Sequence, residues 1–169
     1  MEKLVIVING RGGVGKDTLC ELAAQHFKVR NISSITPIKN IAKQCGWGGE
    51  KDDKARKFLS DLKRVLSEYN DYPTRWARRE YEEFLDSDEE IMFVHIREGS
   101  EIDKFVRATE GRAKTLLIRG GERMTKSSFG NASDDCVEEY RYDYYYTNDK
   151  SLKIAEAEFK ELLIRMIEE

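Results

Sequence analysis

The sequence predicts an α/β fold of three layers, a five-stranded parallel sheet flanked by helices, with a helical insertion between the second and third strands. Three observations carry that prediction. Short apolar runs alternate with helical periodicity along the whole chain, the order that builds parallel strands joined by crossover helices. The runs Leu4–Asn9, Ile91–Ile96 and Thr115–Arg119 are nearly uninterrupted, as strands covered on both faces are. A glycine-rich turn ending in lysine sits between the first run and the first helical stripe, where such folds seat a phosphate.

The elements follow in order. Leu4–Asn9 is the first strand, and Leu19, Cys20, Ala23 and Phe27 form the stripe of the first helix. Ile32–Thr36 reads as the second strand. Ile38, Ile41, Ala42 and Cys45 then make a second stripe just after Pro37, a residue that suits a helix's first turn. Gly46-Trp47-Gly48-Gly49 is a loop joining two inserted helices. Phe58, Leu59, Leu62, Val65, Leu66 and Tyr69 form the cleanest amphipathic stripe in the chain. Ile91–Ile96 is the third strand. Ile102, Phe105 and Val106 mark a helix with Ser100 as its expected N-cap. Thr115–Arg119 and Tyr142–Asn148 are the last strands. Leu152, Ala155, Phe159, Leu162, Leu163 and Met166 share one face of the final helix. Residues 1–169 are expected to form one domain, with residues 37–86 as the insertion and 119–135 as a lid-like loop.

Composition excludes several classes of function. Hydrophobic residues make up 40% of the 169 residues and charged ones 36%, as in a globular chain with a charged surface. A net charge of −3 argues against a general nucleic-acid binder. No apolar stretch has the length of a membrane span, and the chain opens directly into its first strand, which together predict a cytoplasmic protein. Cys20, Cys45 and Cys136 form no C-x-x-C pair, and Cys20 and Cys45 are expected to be small core residues. His26 and His95 are too few and too isolated for a zinc site.

The chemistry concentrates in Gly10-Arg11-Gly12-Gly13-Val14-Gly15-Lys16-Asp17-Thr18. Glycine admits the positive φ angles and close approach that let backbone N–H groups wrap a triphosphate. The following helix adds its dipole and free amides, and Lys16 can reach the β- and γ-phosphates. A Ser or Thr usually follows that lysine and ligates Mg²⁺; here Asp17 stands there. The third strand ends at His95 and offers no acid of its own, so Asp17 is expected to serve as the Mg²⁺ ligand. The alternative is that Asp17 caps the helix and faces away.

In open α/β sheets ligands bind beyond the carboxyl ends of the strands. That rule gathers the phosphate loop, His95-Ile96-Arg97-Glu98, Arg119-Gly120-Gly121 and Asn148-Asp149 around one crevice. Arg97 and Arg119 follow apolar strands, and a guanidinium fork suits phosphoryl oxygens. The polar segment from Arg119 to Asp135 carries Arg123 and Lys126; it reads either as a cover bringing cations over the transferring group or as a solvated loop. Arg75, Arg78 and Arg79 lie among acids and read as a solvated face.

With Gly-Lys-Asp-Thr in the loop and Arg97 directly after the third strand, the chain resembles the P-loop nucleoside monophosphate kinase superfamily. Within it, the chain is most similar to the branch of phage-type deoxynucleoside monophosphate kinases and animal-type phosphomevalonate kinase. Thr36-Pro37-Ile38-Lys39 resembles that branch's segment after the second strand, and Arg56-Lys57-Phe58-Leu59 its acceptor-site helix. Val94-His95-Ile96-Arg97 resembles an Asp-x-Arg motif with His95 in the acid's position. Tyr144-Tyr145-Tyr146-Thr147-Asn148-Asp149 resembles the final strand and turn. The resemblance implies a three-layer P-loop NTPase of nucleotide-kinase type. It implies ATP and Mg²⁺ at Lys16 and Asp17, with the acceptor on Lys39, Arg56 and Arg97. Arg119 or Arg123 would stabilise the transferring group.

The function expected is transfer of the γ-phosphoryl group of ATP to a phosphorylated small molecule, with a (deoxy)nucleoside monophosphate as the expected acceptor. Two other readings stand beside it. A partner-driven ATPase switch is suggested by the likeness of Arg11-Gly12-Gly13-Val14-Gly15-Lys16 to the loop of partitioning ATPases, and a nucleotide sensor without turnover is favoured by His95. The amphipathic helices could also supply a homodimer face.

Overall fold

A computed structural model describes residues 2–121 and 136–169. Its elements are β1 (Leu4–Gly10), α1 (Lys16–Ala23), β2 (Val29–Ser33), α2 (Thr36–Gln44), α3 (Asp53–Asn70), α4 (Tyr72–Asp86), β3 (Ile91–His95), α5 (Gly99–Ala108) and β4 (Lys114–Gly120). A short 3₁₀ turn (Cys136–Glu138), β5 (Tyr144–Asn148) and α6 (Leu152–Glu168) complete it. The sheet order is β2-β3-β1-β4-β5, and every pair is parallel.

Strand alternation makes the three layers. Leu4, Ile6 and Ile8 on β1 face one side, packing with Leu116, Ile118 and Phe93 against Leu19 of α1 and Phe159 and Leu163 of α6. Val5 and Val7 face the other, with Met92, Val94 and Leu117 against Ala77, Tyr81 and Phe84 of α4 and Ile102 and Phe105 of α5. Every residue of β1 is buried, which is why its sequence is an unbroken apolar run.

The differences from expectation lie at the sheet edges, in the insertion and at the start of α5, where Glu98 and not Ser100 is the N-cap. The second strand is Val29–Ser33, earlier than the Ile32–Thr36 expected, and Thr36 already opens α2. Its polar residues hid it: Arg30 is drawn onto Glu89 at 2.6 Å and Glu80 at 3.1 Å, so a charged side chain occupies a half-buried strand position. β5 begins at Tyr144 rather than Tyr142. Cys20 is buried as expected, but Cys45 is exposed at the C-terminal cap of α2. The α3 stripe is the largest departure. Ala55 is the one buried residue of that helix, while Val65 is 51% and Tyr69 84% exposed. A regular apolar face is there, but the rest of the described chain covers it only in part: Leu59, Leu62 and Leu66 are half-buried while Phe58, Val65 and Tyr69 are exposed.

Candidate active site

The phosphate loop is held by its own backbone constraints. Gly13 and Gly15 have φ of 82° and 85°, a region that a Cβ disfavours. A Cβ on Gly15 would also lie 2.5 Å from Asn148 Nδ2, and one on Gly10 would lie 2.8 Å from the Ile118 carbonyl oxygen. Asn148 Nδ2 donates to the Val14 carbonyl at 2.8 Å, fastening the loop to the end of β5. Gly15 brings no capping side chain to α1, whose N-terminus points its dipole at the loop and suits an anion there.

Behind the loop lies Asn9, fully buried. Its Nδ2 donates to the Arg97 carbonyl and to the Tyr142 hydroxyl, both at 2.9 Å, and its Oδ1 accepts from the Gly10 amide at 2.9 Å. Tyr142 passes its own hydrogen to the Val137 carbonyl at 2.7 Å. One amide thus ties the start of the phosphate loop to the end of β3 and to the segment entering β5. Its hydrogen-bonding capacity is well used, which a buried amide requires.

A cavity of about 690 Å³ opens beside the loop, beyond the ends of β2 and β3. Lys16 and Asp17 line it from α1, Asn31, Ser33 and Ser34 from β2 and its exit, and Lys39 from α2. Lys63 of α3 enters from above, and His95, Arg97 and Glu98 close it from β3. Four permanent cations therefore face two carboxylates among the described lining residues, which suits an anionic ligand. Lys63 is positioned by Glu98 at 3.2 Å.

Burial and the neighbouring Lys16 charge push the His95 imidazole down to about 4, so it is neutral at physiological pH. The Cys20 thiol, 3.9 Å from His95 Nε2, is pushed up to about 12 by burial and stays protonated.

Of the site residues expected from sequence, Lys16, Asp17, Lys39 and Arg97 meet at this cavity. Arg56 does not line it; it is exposed on the first turns of α3. Lys63, seven residues on and therefore on the same helix face, lines the cavity instead. Arg119 is also turned elsewhere. Its guanidinium donates to Glu138 Oε2 at 3.1 and 3.2 Å and stacks 4.6 Å from the Tyr145 ring, so it does not line the cavity that holds Lys16. The physical reason is strand parity. Arg119 shares its face of β4 with Leu117, on the α4–α5 side, whereas Ile118 packs under the loop. Arg123 and Lys126 lie outside the described residues, as does nearly all of the lid-like segment. Sequence reasoning missed Asn9, Asn31 and Lys63; the seven-residue interval from Arg56 was the signal available for Lys63.

No family model and no curated protein matches the sequence. Solved structures do match the fold. Dephospho-CoA kinase from Campylobacter jejuni superposes with a TM-score of 0.59 at 17% identity over 97% of each chain. The tunicamycin resistance protein of Deinococcus radiodurans gives 0.59 at 9% identity, covering 95% of this chain and 96% of its own. Shikimate kinase from Aquifex aeolicus gives 0.50 at 13%, over 95% of each.

The chain has the fold of the P-loop kinases. At these identities the likeness speaks for architecture, and the chemistry rests on the cavity. A glycine loop of this form suits a nucleotide's phosphates and an accompanying Mg²⁺. The donor set fits them: a glycine loop opening a helix N-terminus with Lys16 for phosphate oxygens, and the Asp17 carboxylate, whose side chain is 85% exposed, for the ion. Among the described residues no helix is long and apolar enough to cross a membrane.

Proposed function

We propose that this chain is a phosphotransferase that moves the γ-phosphoryl group of ATP to a phosphorylated small molecule, with a (deoxy)nucleoside monophosphate as the acceptor class. One observation supports it above the rest. The cavity that begins at Lys16 continues past the nucleotide's place to Lys39, Lys63 and Arg97, cations from three further elements that a lone ATP would not need. Two anionic ligands side by side would use all of them.

The chain's residues then divide the work. The loop amides and Lys16 hold the β- and γ-phosphates. Arg97, on the backbone fixed by Asn9, and Lys63, fixed by Glu98, hold the acceptor's anionic group so that its attacking oxygen stays in line. Asp17 would hold Mg²⁺, which when bound neutralises charge on the phosphates. Because Asp17 would otherwise repel those phosphates, nucleotide affinity should be strongly Mg²⁺-dependent.

The test is ADP release from Mg-ATP across nucleoside monophosphates and small phosphorylated metabolites, with Lys16→Ala as control. Acceptor-dependent, Lys16-dependent release by one acceptor class supports the proposal and names the substrate. His95, neutral where an acid would stand, favours the sensor as second reading. Tight Mg-ATP binding with no acceptor-dependent turnover would decide for it.

A further inference from the structure

His95 closes β3 with its side chain 13% exposed. Its Nε2 lies 2.6 Å from Asn31 Oδ1. An amide oxygen can only accept, so Nε2 carries the ring hydrogen and Nδ1 carries the lone pair. Nδ1 faces Asp17 Oδ1 across 4.0 Å. A carboxylate oxygen and a bare ring nitrogen therefore face each other beside the phosphate loop, and such a pair calls for a cation between them.

We propose that His95 Nδ1 joins Asp17 Oδ1 in ligating the divalent ion that accompanies the nucleotide, giving this site a nitrogen donor where oxygen donors are usual. An ion about 2.1 Å from each atom spans separations from roughly 3 Å at right angles to roughly 4.2 Å in line. The observed 4.0 Å falls within that range, and the exposed Asp17 carboxylate can swing to shorten it. The Asn31 bond is the outer-shell contact that metal-binding imidazoles use to fix ring rotation and tautomer. Among the described residues no three His, Cys, Asp or Glu side chains gather as a metal cluster, so phosphate oxygens and water supply the remaining ligands. An imidazole moves the preference of such a site away from Mg²⁺ toward Mn²⁺ and Co²⁺.

This inference rests on the proposed nucleotide binding at Lys16, and one experiment separates the two. The full chain, grown with ¹⁵N-histidine, is loaded with Mn²⁺ and a non-hydrolysable ATP analogue and read by pulsed EPR. The chain has two histidines; His26 is bound to Glu156 at 2.7 Å, away from the loop, and His26→Gln removes it. The expected result is a nitrogen coupling to Mn²⁺ that changes with the histidine label and survives His26→Gln. The label makes the wild-type chain sufficient, whether or not a His95 variant folds. Asn31→Ala should weaken Mn²⁺-nucleotide binding by about tenfold. His95→Asp should shift the ratio of Co²⁺ to Mg²⁺ affinities by about tenfold toward Mg²⁺. Nucleotide and Mn²⁺ bound in a Lys16-dependent way, with no histidine coupling, would overturn the inference and leave the Lys16 ammonium as the cation in the gap. Failure of both Mn²⁺ and Mg²⁺ nucleotides to bind would overturn the nucleotide reading, and this one with it.

Discussion

Around the phosphate loop, side chains are fixed from every side; along α3 they are not. Asn9 is fully enclosed, Val14 is buried, and the loop glycines leave no space for a Cβ at Gly10 or Gly15. On α3, Ala55 is the one buried residue of eighteen, and Lys63 reaches the cavity from a helix whose apolar stripe is only half covered. The phosphate-loop half of the cavity is thus built as part of the core, and the α3 half as a surface laid over it. Substitutions in the first half should damage fold and function together. Those in the second should change what is bound while leaving the fold alone.

The sharpest contrast is thermodynamic. Phe84 on α4 is completely buried under the sheet, whereas Tyr69 on α3 is 84% exposed. Phe84→Ala should lower unfolding free energy by about 3–5 kcal/mol. Tyr69→Ala should change it by less than about 0.5 kcal/mol. Urea denaturation of the two variants checks this. A loss of more than about 1 kcal/mol at Tyr69 would mean that its face is covered in solution, for which a second copy of the chain is the first candidate, and sedimentation would show it.

His95 extends the contrast to pH. Its ordinary value is 6.5 and burial lowers it to about 4, so between those limits the unfolded chain takes up a proton that the native chain refuses. Stability should therefore fall as pH drops from 6.5 toward 4, by an amount approaching about 3 kcal/mol at the lower end. His95→Gln should flatten that part of the profile. Parallel profiles for the two proteins would show that the imidazole is not desolvated in the native state.

At the loop itself, Gly15→Ala must force a Cβ into positive φ and toward Asn148. Nucleotide affinity should drop by about a hundredfold, roughly 2.7 kcal/mol. Titration calorimetry of the variant, and of Gly15→Ala combined with Asn148→Ala, separates the two causes. Partial recovery in the double variant assigns part of the loss to the Asn148 contact, and no recovery assigns it to backbone strain.

What was legible in the sequence follows the same division. β1, β3 and β4 could be read because both faces are covered, and coverage writes itself as an unbroken apolar run. The loop could be read because positive φ leaves glycine as its residue. β2 was misplaced because an edge strand tolerates Arg30, whose charge is answered by acids about fifty and sixty positions away. The α3 stripe was visible as a helix, but periodicity reports a face and not what lies against it. Asn148 was placed at the crevice by the rule for strand ends, but Asn9 was invisible as a site residue because its partners are brought by the fold and no local pattern announces them.

Lys63 and Arg56 offer the finest test of that division. Both are cations on one face of α3, seven residues apart and so separated by about 10 Å along the helix. The resemblance to known kinases favoured Arg56, while the geometry brings Lys63 to the cavity and pairs it with Glu98 at 3.2 Å. Lys63→Ala should raise the acceptor KM by about tenfold, the loss of one charge-assisted contact to an anionic group, with ATP affinity unchanged. Arg56→Ala should move either constant by less than about twofold, as expected for an exposed side chain outside the cavity. Initial-rate kinetics on the acceptor identified by ADP release reads both. The reverse order of effects would mean that α3 slides or rotates when the acceptor binds, carrying Arg56 inward. Equal and large effects would mean that the acceptor is long enough to bridge both residues, which a ligand confined to the present cavity is not.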